Sequence, residues 1–223
     1  ILDRSGKPAN FLSLYDPIFT QPNDYNSGGY TGASIKVDTT SGTGNIIFNG
    51  DIIITSPDAT FAGASPGTDE FILGSSRSVI LRSGGNIQTV NIDTFPDPNL
   101  FPKTGQTGPI ILQAAGNIQT GTIKADNFGG DARSISLTAG GNISTGELRA
   151  IVSSVNGNGG DINVNAGGSF TLIGNIASFS PSRAGHITLK AKGDISINCP
   201  NASVCIESFA GGVSGLIPTG NSG

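Results

Sequence analysis

Five segments of this chain repeat one pattern, and that pattern limits the fold more than any other feature. They are SVILRSGGNI at 78–87, PIILQAAGNI at 109–118, SISLTAGGNI at 134–143, DINVNAGGSF at 161–170 and HITLKAKGDI at 186–195. The polar markers Asn86, Asn117, Asn142, Ser169 and Asp194 differ in position by 31, 25, 27 and 25. The columns hold residue by residue. Val79, Ile110, Ile135, Ile162 and Ile187 form one, and Leu81, Leu112, Leu137, Val164 and Leu189 the next. A small column follows at Ser83, Ala114, Ala139, Ala166 and Ala191, then a glycine column at Gly85, Gly116, Gly141, Gly168 and Gly193. After it come Ile87, Ile118, Ile143, Phe170 and Ile195, and further on Ile92, Ile123, Leu148, Ile176 and Ile206.

Apolar residues two apart put one face of an extended strand inward. Each repeat therefore reads as a strand, a glycine corner, a short second strand and a third strand. One such trio cannot bury its inward face alone, but stacking repeats turns each column into a continuous apolar ladder. Strands in neighbouring repeats would lie about 4.8 Å apart. Glycine suits a corner that needs positive φ or a close backbone approach, and the polar residue beside it can stack into a hydrogen-bonded ladder. Leucine-rich repeats have a similar period, but their asparagine signature and helical return are missing. Helical repeats conflict with the period of two. The expected fold is all-β: a right-handed parallel β-helix, or β-solenoid, with a non-repeating N-terminal segment.

Composition agrees with that class. Gly accounts for 34 of 223 residues, yet it follows no three-residue period and Pro is only 12, so the chain is not collagen-like. The net charge of −4 comes with no basic stripe, which argues against nucleic acid as a partner. No run of 18 apolar residues exists to span a membrane. The chain opens on Ile1 without an initiator Met, as expected of a processed product or a segment of a larger protein.

Residues 34–54 read as an earlier coil, with Ile35, Val37, Asn45, Ile46 and Ile52 in the repeat columns. The β-helix is expected over 34–208, with Ser, Pro and Gly-rich excursions at 55–77 and 93–108 leaving the same corner. Residues 1–33 do not show the repeat. Phe11, Leu12, Leu14, Tyr15, Ile18 and Phe19 lie among prolines there, and the segment is expected to be a cap over the first coil or a docking arm. Residues 209–223 form a Gly/Ser-rich tail or the start of a further coil, with Val213, Leu216 and Ile217.

Chemistry-bearing residues are sparse. In the last repeat, 11 residues separate Ile195 from Ile206, against 5 or 6 elsewhere. The extra length makes a loop with Cys199 and Cys205 at its base. That placement favours a disulfide over two buried thiols, and two thiols without a nearby histidine are too few for a metal site. His186, the only histidine, opens a strand at a corner, where solvent contact is expected. Polysaccharide-cleaving β-helices need acidic groups clustered on one outer face. The outward column Gln88, Gln119, Ser144, Thr171, Ser196 has none, and neither does Arg82, Gln113, Thr138, Asn165, Lys190. Asp126, Asp131, Glu147 and Asp161 read as turn or isolated residues. Gly157–Asp161 has the look of a calcium-binding β-roll turn, but it occurs once and lacks facing ligands. The sequons at Asn142 and Asn201 arise readily by chance in an Asn-rich chain. No catalytic residue, metal or cofactor is expected.

The stretches SISLTAGGNISTGELRA at 134–150 and GGDINVNAGGSFTLIG at 159–174 resemble the filamentous-haemagglutinin-like exoproteins of two-partner secretion systems. The style is that of cyanobacterial members, which carry stretches similar to SLYDPI at 13–18 and GGYTGASIKV at 28–37. The resemblance covers most of the chain and implies a secreted β-helix stalk on a bacterial surface. The chain is short for the family and shows no amino-terminal secretion domain, as expected if the remainder was cut away or if this is one module. The expected role is a structural subunit of an extracellular fibre or cell-surface stalk, joined head to tail to copies of itself. An adhesin module that binds carbohydrate or a surface is the alternative. A polysaccharide-degrading β-helix enzyme is third.

Overall fold

The computed structural model describes residues 35–54, 77–94, 107–127, 130–153, 157–200 and 204–211, together with the strand backbone at 18–20, 25–27 and 30–32. Within these residues the protein is all-β, and its parallel strands form three sheets of seven strands each. The first sheet holds β1 (Ile18–Thr20), β4 (Ile35–Asp38), β7 (Arg77–Ser83), β10 (Thr107–Ala114), β13 (Ile135–Ala139), β16 (Ile162–Ala166) and β19 (Ile187–Ala191), in that order. The second holds β2 (Tyr25–Ser27), β5 (Ile46–Phe48), β8 (Ile87–Gln88), β11 (Ile118–Gln119), β14 (Ile143–Thr145), β17 (Phe170–Ile173) and β20 (Ile195–Asn198). The third holds β3 (Tyr30–Gly32), β6 (Ile52–Ile54), β9 (Ile92–Asp93), β12 (Ile123–Lys124), β15 (Leu148–Arg149), β18 (Ile176–Ser180) and β21 (Ile206–Ala210). Three successive strands make one rung, and each rung stacks on the one before. The architecture is a β-solenoid.

Like residues stack on like. Ile35, Val79, Ile110, Ile135, Ile162 and Ile187 are register partners from rung to rung, as are Val37, Leu81, Leu112, Leu137, Val164 and Leu189. The second sheet aligns Ile46, Ile87, Ile118, Ile143, Phe170 and Ile195, and the third aligns Ile52, Ile92, Ile123, Leu148, Ile176 and Ile206. The inner rungs bury these columns completely, and the buried residues form a single core cluster. Each such side chain contributes roughly 1.5–3 kcal/mol of burial free energy. Strands β13 and β16 alternate buried and outward residues along their whole length, which fixes their register, since a slip of one would turn the apolar face outward.

The corners are bonded as regularly as the strands. Gly116 N–H donates to Gly85 O at 2.7 Å, Gly141 N–H to Gly116 O at 2.8 Å and Gly168 N–H to Gly141 O at 2.8 Å. A Cβ at Gly116, Gly141 or Gly168 would fall on Oδ1 of Asn86, Asn117 or Asn142 in the rung below. Close approach is therefore what excludes a side chain there. Among the described glycines, positive φ does so only at Gly174, at 139°.

Three boundaries move. Strands β1, β2 and β3 lie inside the segment expected not to repeat, yet they pair in parallel with β4, β5 and β6. Their rung lacks the glycine-asparagine corner and has Tyr25 and Tyr30 in the isoleucine columns, so the motif does not reveal it. Asp93 and Thr94 belong to a rung, with Thr94 buried and its Oγ1 donating to Lys124 O at 3.2 Å. The excursions thus fall within 55–76 and 95–106, outside the described residues. The last strand runs to Ala210, past the expected limit at 208.

Candidate functional site

Two regions of the solenoid depart from uniform stacking. The first is the final rung, β19 to β21. Each of its strands ends its sheet, with no described strand on the far side. The columns that are fully buried in the inner rungs open here. Phe170 is buried whereas Ile195 is 46% exposed, and Ile176 is buried whereas Ile206 is 46% exposed. Ile187, Leu189 and Ile197 are only partly buried. Phe209 stacks on Phe179 of the rung below, with ring centroids 5.9 Å apart, and is itself 38% exposed.

The corner between β20 and β21 is the longest second corner among the described rungs. Cys199 and Cys205 are joined there by a disulfide with a Cα–Cα distance of 5.6 Å. Cys205 O also accepts a hydrogen bond from Ile176 N–H at 2.8 Å. Inner corners are held by rungs on both sides, whereas this one has a described neighbour on one side only and a covalent clip. The disulfide fits an oxidising environment.

The second region is the outer face of the third sheet. Its outward register column runs Ile53, Asp93, Lys124, Arg149, Ala177, Glu207, and in it Ala177 is buried. Asp51, Asp126 and Glu147 flank that column in the chain. A concavity of about 240 Å³ lies on this face, lined by Asp51, Ile53, Asn91, Asp93, Thr122, Lys124 and Glu147 among others. Asp51 Oδ1 accepts from Asn91 N–H at 3.2 Å and from its Nδ2 at 3.1 Å, and Asn91 Oδ1 accepts from Thr122 N–H at 2.9 Å. Asp126 is buried, bonded to Arg149 Nη2 at 2.9 Å and to Ile151 N–H at 3.0 Å. Burial pushes the Asp126 carboxyl above its usual range, against the opposing pull of Arg149 and of the Ile151 N–H. Glu147 Oε1 is 3.9 Å from Arg149 Nε. Three carboxylates and one ammonium around an exposed isoleucine can hydrogen-bond a polar ligand while packing an apolar edge.

This charged face corrects the sequence expectation that Asp126 and Glu147 stand singly. The two outward columns read from sequence lie on the first and second sheets. The third was legible too, one residue beyond each of Ile92, Ile123 and Leu148. The other candidate residues fall as follows. His186 is exposed, and its N–H donates to Asp161 Oδ1 at 2.7 Å. Asn142 carries a corner ladder, accepting from Ser169 N–H at 2.8 Å. Asp131 and Asp161 accept backbone N–H groups from the next rung. Of the six arm residues, Ile18 and Phe19 belong to β1, while Phe11, Leu12, Leu14 and Tyr15 lie outside the described residues. Among the described residues no group of three or more His, Cys, Asp or Glu is placed to hold a metal ion. No helix among them is long and apolar enough to cross a membrane. No family model, curated protein or solved structure matches the chain.

Proposed function

We propose that this chain is a structural module of an extracellular fibre or cell-surface stalk, joined head to tail to copies of itself. The observation that carries the reading is the open final rung, where Ile195 and Ile206 are each 46% exposed in columns that are buried from Ile46 to Phe170 and from Ile52 to Ile176. Three strand edges with no described partner, around an apolar core, favour association with a matching surface. Such a contact joins different faces of the two copies, so it propagates into a filament unless the rotation closes a ring. The Cys199–Cys205 bridge and the resemblance to filamentous-haemagglutinin-like exoproteins support a location outside the cell. The reading assigns no catalytic step, although β-helices serve enzymes and non-enzymes alike.

The test is electron microscopy and light scattering on purified protein over a range of concentrations. Filaments that lengthen with concentration are expected without added ligand. A chain that stays monomeric at every concentration overturns the reading.

A second reading, an adhesin module for carbohydrate, is favoured by one observation: the concavity on the third sheet, with Asp51, Asp93, Lys124 and Glu147 around the exposed Ile53. Carboxylates accept pairs of sugar hydroxyls, and Ile53 offers an apolar surface for ring C–H groups. Binding to immobilised neutral glycans that falls on Asp93→Asn or Glu147→Gln substitution would favour this reading. No retention on any glycan would remove it.

A further inference from the structure

We infer that the joint between copies continues all three sheets in register, with Leu189 of one chain facing Ile18 of the next, Ile195 facing Tyr25 and Ile206 facing Tyr30. The inference rests on the head-to-tail reading and adds the partner face and its alignment. It follows from the pairing within one chain. Ile18 is the register partner of Val37, whose column ends at Leu189. Tyr25 pairs with Ile46, whose column ends at Ile195. Tyr30 pairs with Ile52, whose column ends at Ile206. Each column thus has one free position at either end of the described solenoid.

The occupant is a second copy of this chain because of the geometry required. A single extended peptide can add to one sheet edge. It cannot cover three edges that bound one core. The partner must present three parallel strands at once, and the β1–β3 rung of another copy does so, with one irregularity in β1 between Ile18 and Thr20. In a parallel sheet the two outer edges are complementary, since every inner rung both receives a rung and offers one. The face is also held ready. The Cys199–Cys205 bridge clips the corner between β20 and β21, so less freedom is lost when a partner adds.

The test uses the full chain with its native disulfide. One preparation carries Ile195→Cys, another Tyr25→Cys and a third Tyr30→Cys. Pairs are mixed, oxidised under mild conditions and resolved without reductant. Neighbouring rungs place Cα atoms about 4.8 Å apart, within the disulfide range, whereas positions in different sheets are not so placed. Cross-linked dimer is expected from the 195 and 25 pair at roughly tenfold or more above the 195 and 30 pair. Ile195→Cys alone should give no dimer, because a 195–195 link needs a tail-to-tail contact. Filaments that form without the matched cross-link, or with the mismatched or 195–195 link instead, overturn the register and leave the fibre reading standing. A chain that remains monomeric, its final rung covered by residues 212–223 or by another segment of the same polypeptide, overturns both. Ile195→Lys provides a second measurement. It should abolish the oligomer while leaving the circular dichroism spectrum unchanged, and undiminished assembly in that variant would also overturn the joint.

Discussion

Asn117 donates its backbone N–H to Oδ1 of Asn86 at 2.7 Å, across the boundary between two rungs. The same contact recurs from Asn86 to Asn45 at 2.7 Å, from Asn142 to Asn117 at 2.7 Å and from Ser169 to Asn142 at 2.8 Å. Each side chain thus satisfies a corner N–H that no strand partner reaches. The glycine before each marker sits where a Cβ would meet that same oxygen. Glycine and asparagine are therefore one device spread over two rungs.

Gly141→Ala should break that device at a single corner. The new Cβ would fall on Asn117 Oδ1 and crowd Gly116 O at 3.2 Å, so the ladder must open or the corner shift. Losing a corner hydrogen bond and straining the turn should cost about 1–3 kcal/mol. Urea denaturation followed by circular dichroism measures it. Combining Gly141→Ala with Asn117→Ala should cost less than the sum of the two, because the second change removes the atom that the first one strikes. Full additivity would separate the glycine from the ladder.

Core position should decide the cost of truncating an isoleucine. Ile135 is 0% exposed and lies between Ile110 and Ile162 in its column. Ile135→Ala should cost about 2–5 kcal/mol, the range for a buried isoleucine whose cavity cannot collapse. Ile195→Ala, at a side chain 46% exposed, should cost distinctly less in dilute monomer. Ile135→Asp should unfold the middle of the solenoid, since it buries a charge without a partner. Equal thermal midpoints for Ile135→Ala and Ile195→Ala would contradict the open final rung.

The sequence carried the stack well because its columns are periodic and chemically uniform. Ile118, Ile143 and Phe170 could be aligned by eye because Gly-Asn or Gly-Ser precedes each of them. The rung holding Tyr25 and Tyr30 was hidden for the converse reason: its strands keep the spacing but not the corner residues. The charged face of the third sheet follows from the same alignment, one residue beyond Ile92, Ile123 and Leu148, but carries no corner motif of its own. Asp93, Lys124 and Arg149 are far apart in the chain and neighbours only through pairing. Burial of Asp126 was less accessible still. It depends on Arg149 and the Ile151 N–H in the next rung, and no local pattern signals that.

Removing the disulfide should loosen the final rung and little else. The loop closed by Cys199 and Cys205 is short, so its entropic contribution is roughly 2 kcal/mol. Solenoid stability is a sum of rung and neighbour terms, so the loss stays local. In the Cys199→Ser, Cys205→Ser double variant, amide exchange should accelerate in β20 and β21. Amides of β13 and β14, two rungs below, should keep their protection. Faster exchange throughout the chain would show that the solenoid unfolds as one cooperative unit from this end.

Asp126 should make stability fall as pH rises. Burial holds its carboxyl above the ordinary carboxylate range in the folded state. Below the unfolded value the carboxyl is protonated in both states and the folded protein bears no charging penalty. Between the unfolded and folded values the native state holds the proton more tightly, so each increment of pH favours unfolding. Above the folded value the penalty is constant. Asp126→Asn cannot charge and should remove this slope. The change leaves Arg149 without its 2.9 Å partner, but that side chain is 32% exposed and can turn toward water. Asp38 provides the opposite sign on the same molecule. Hydrogen bonds from the Thr40 hydroxyl and Thr40 N–H hold its carboxyl below the usual range. Its contribution is present above the unfolded value and is lost as pH falls through the folded one. Urea melts at about pH 3, 5 and 7 separate the two effects. Relative to the parent, Asp126→Asn should gain stability from the lowest pH to the highest, while Asp38→Asn should lose it. Profiles for Asp126→Asn that run parallel to the parent would mean that the Arg149 ion pair offsets the burial of the carboxylate in full.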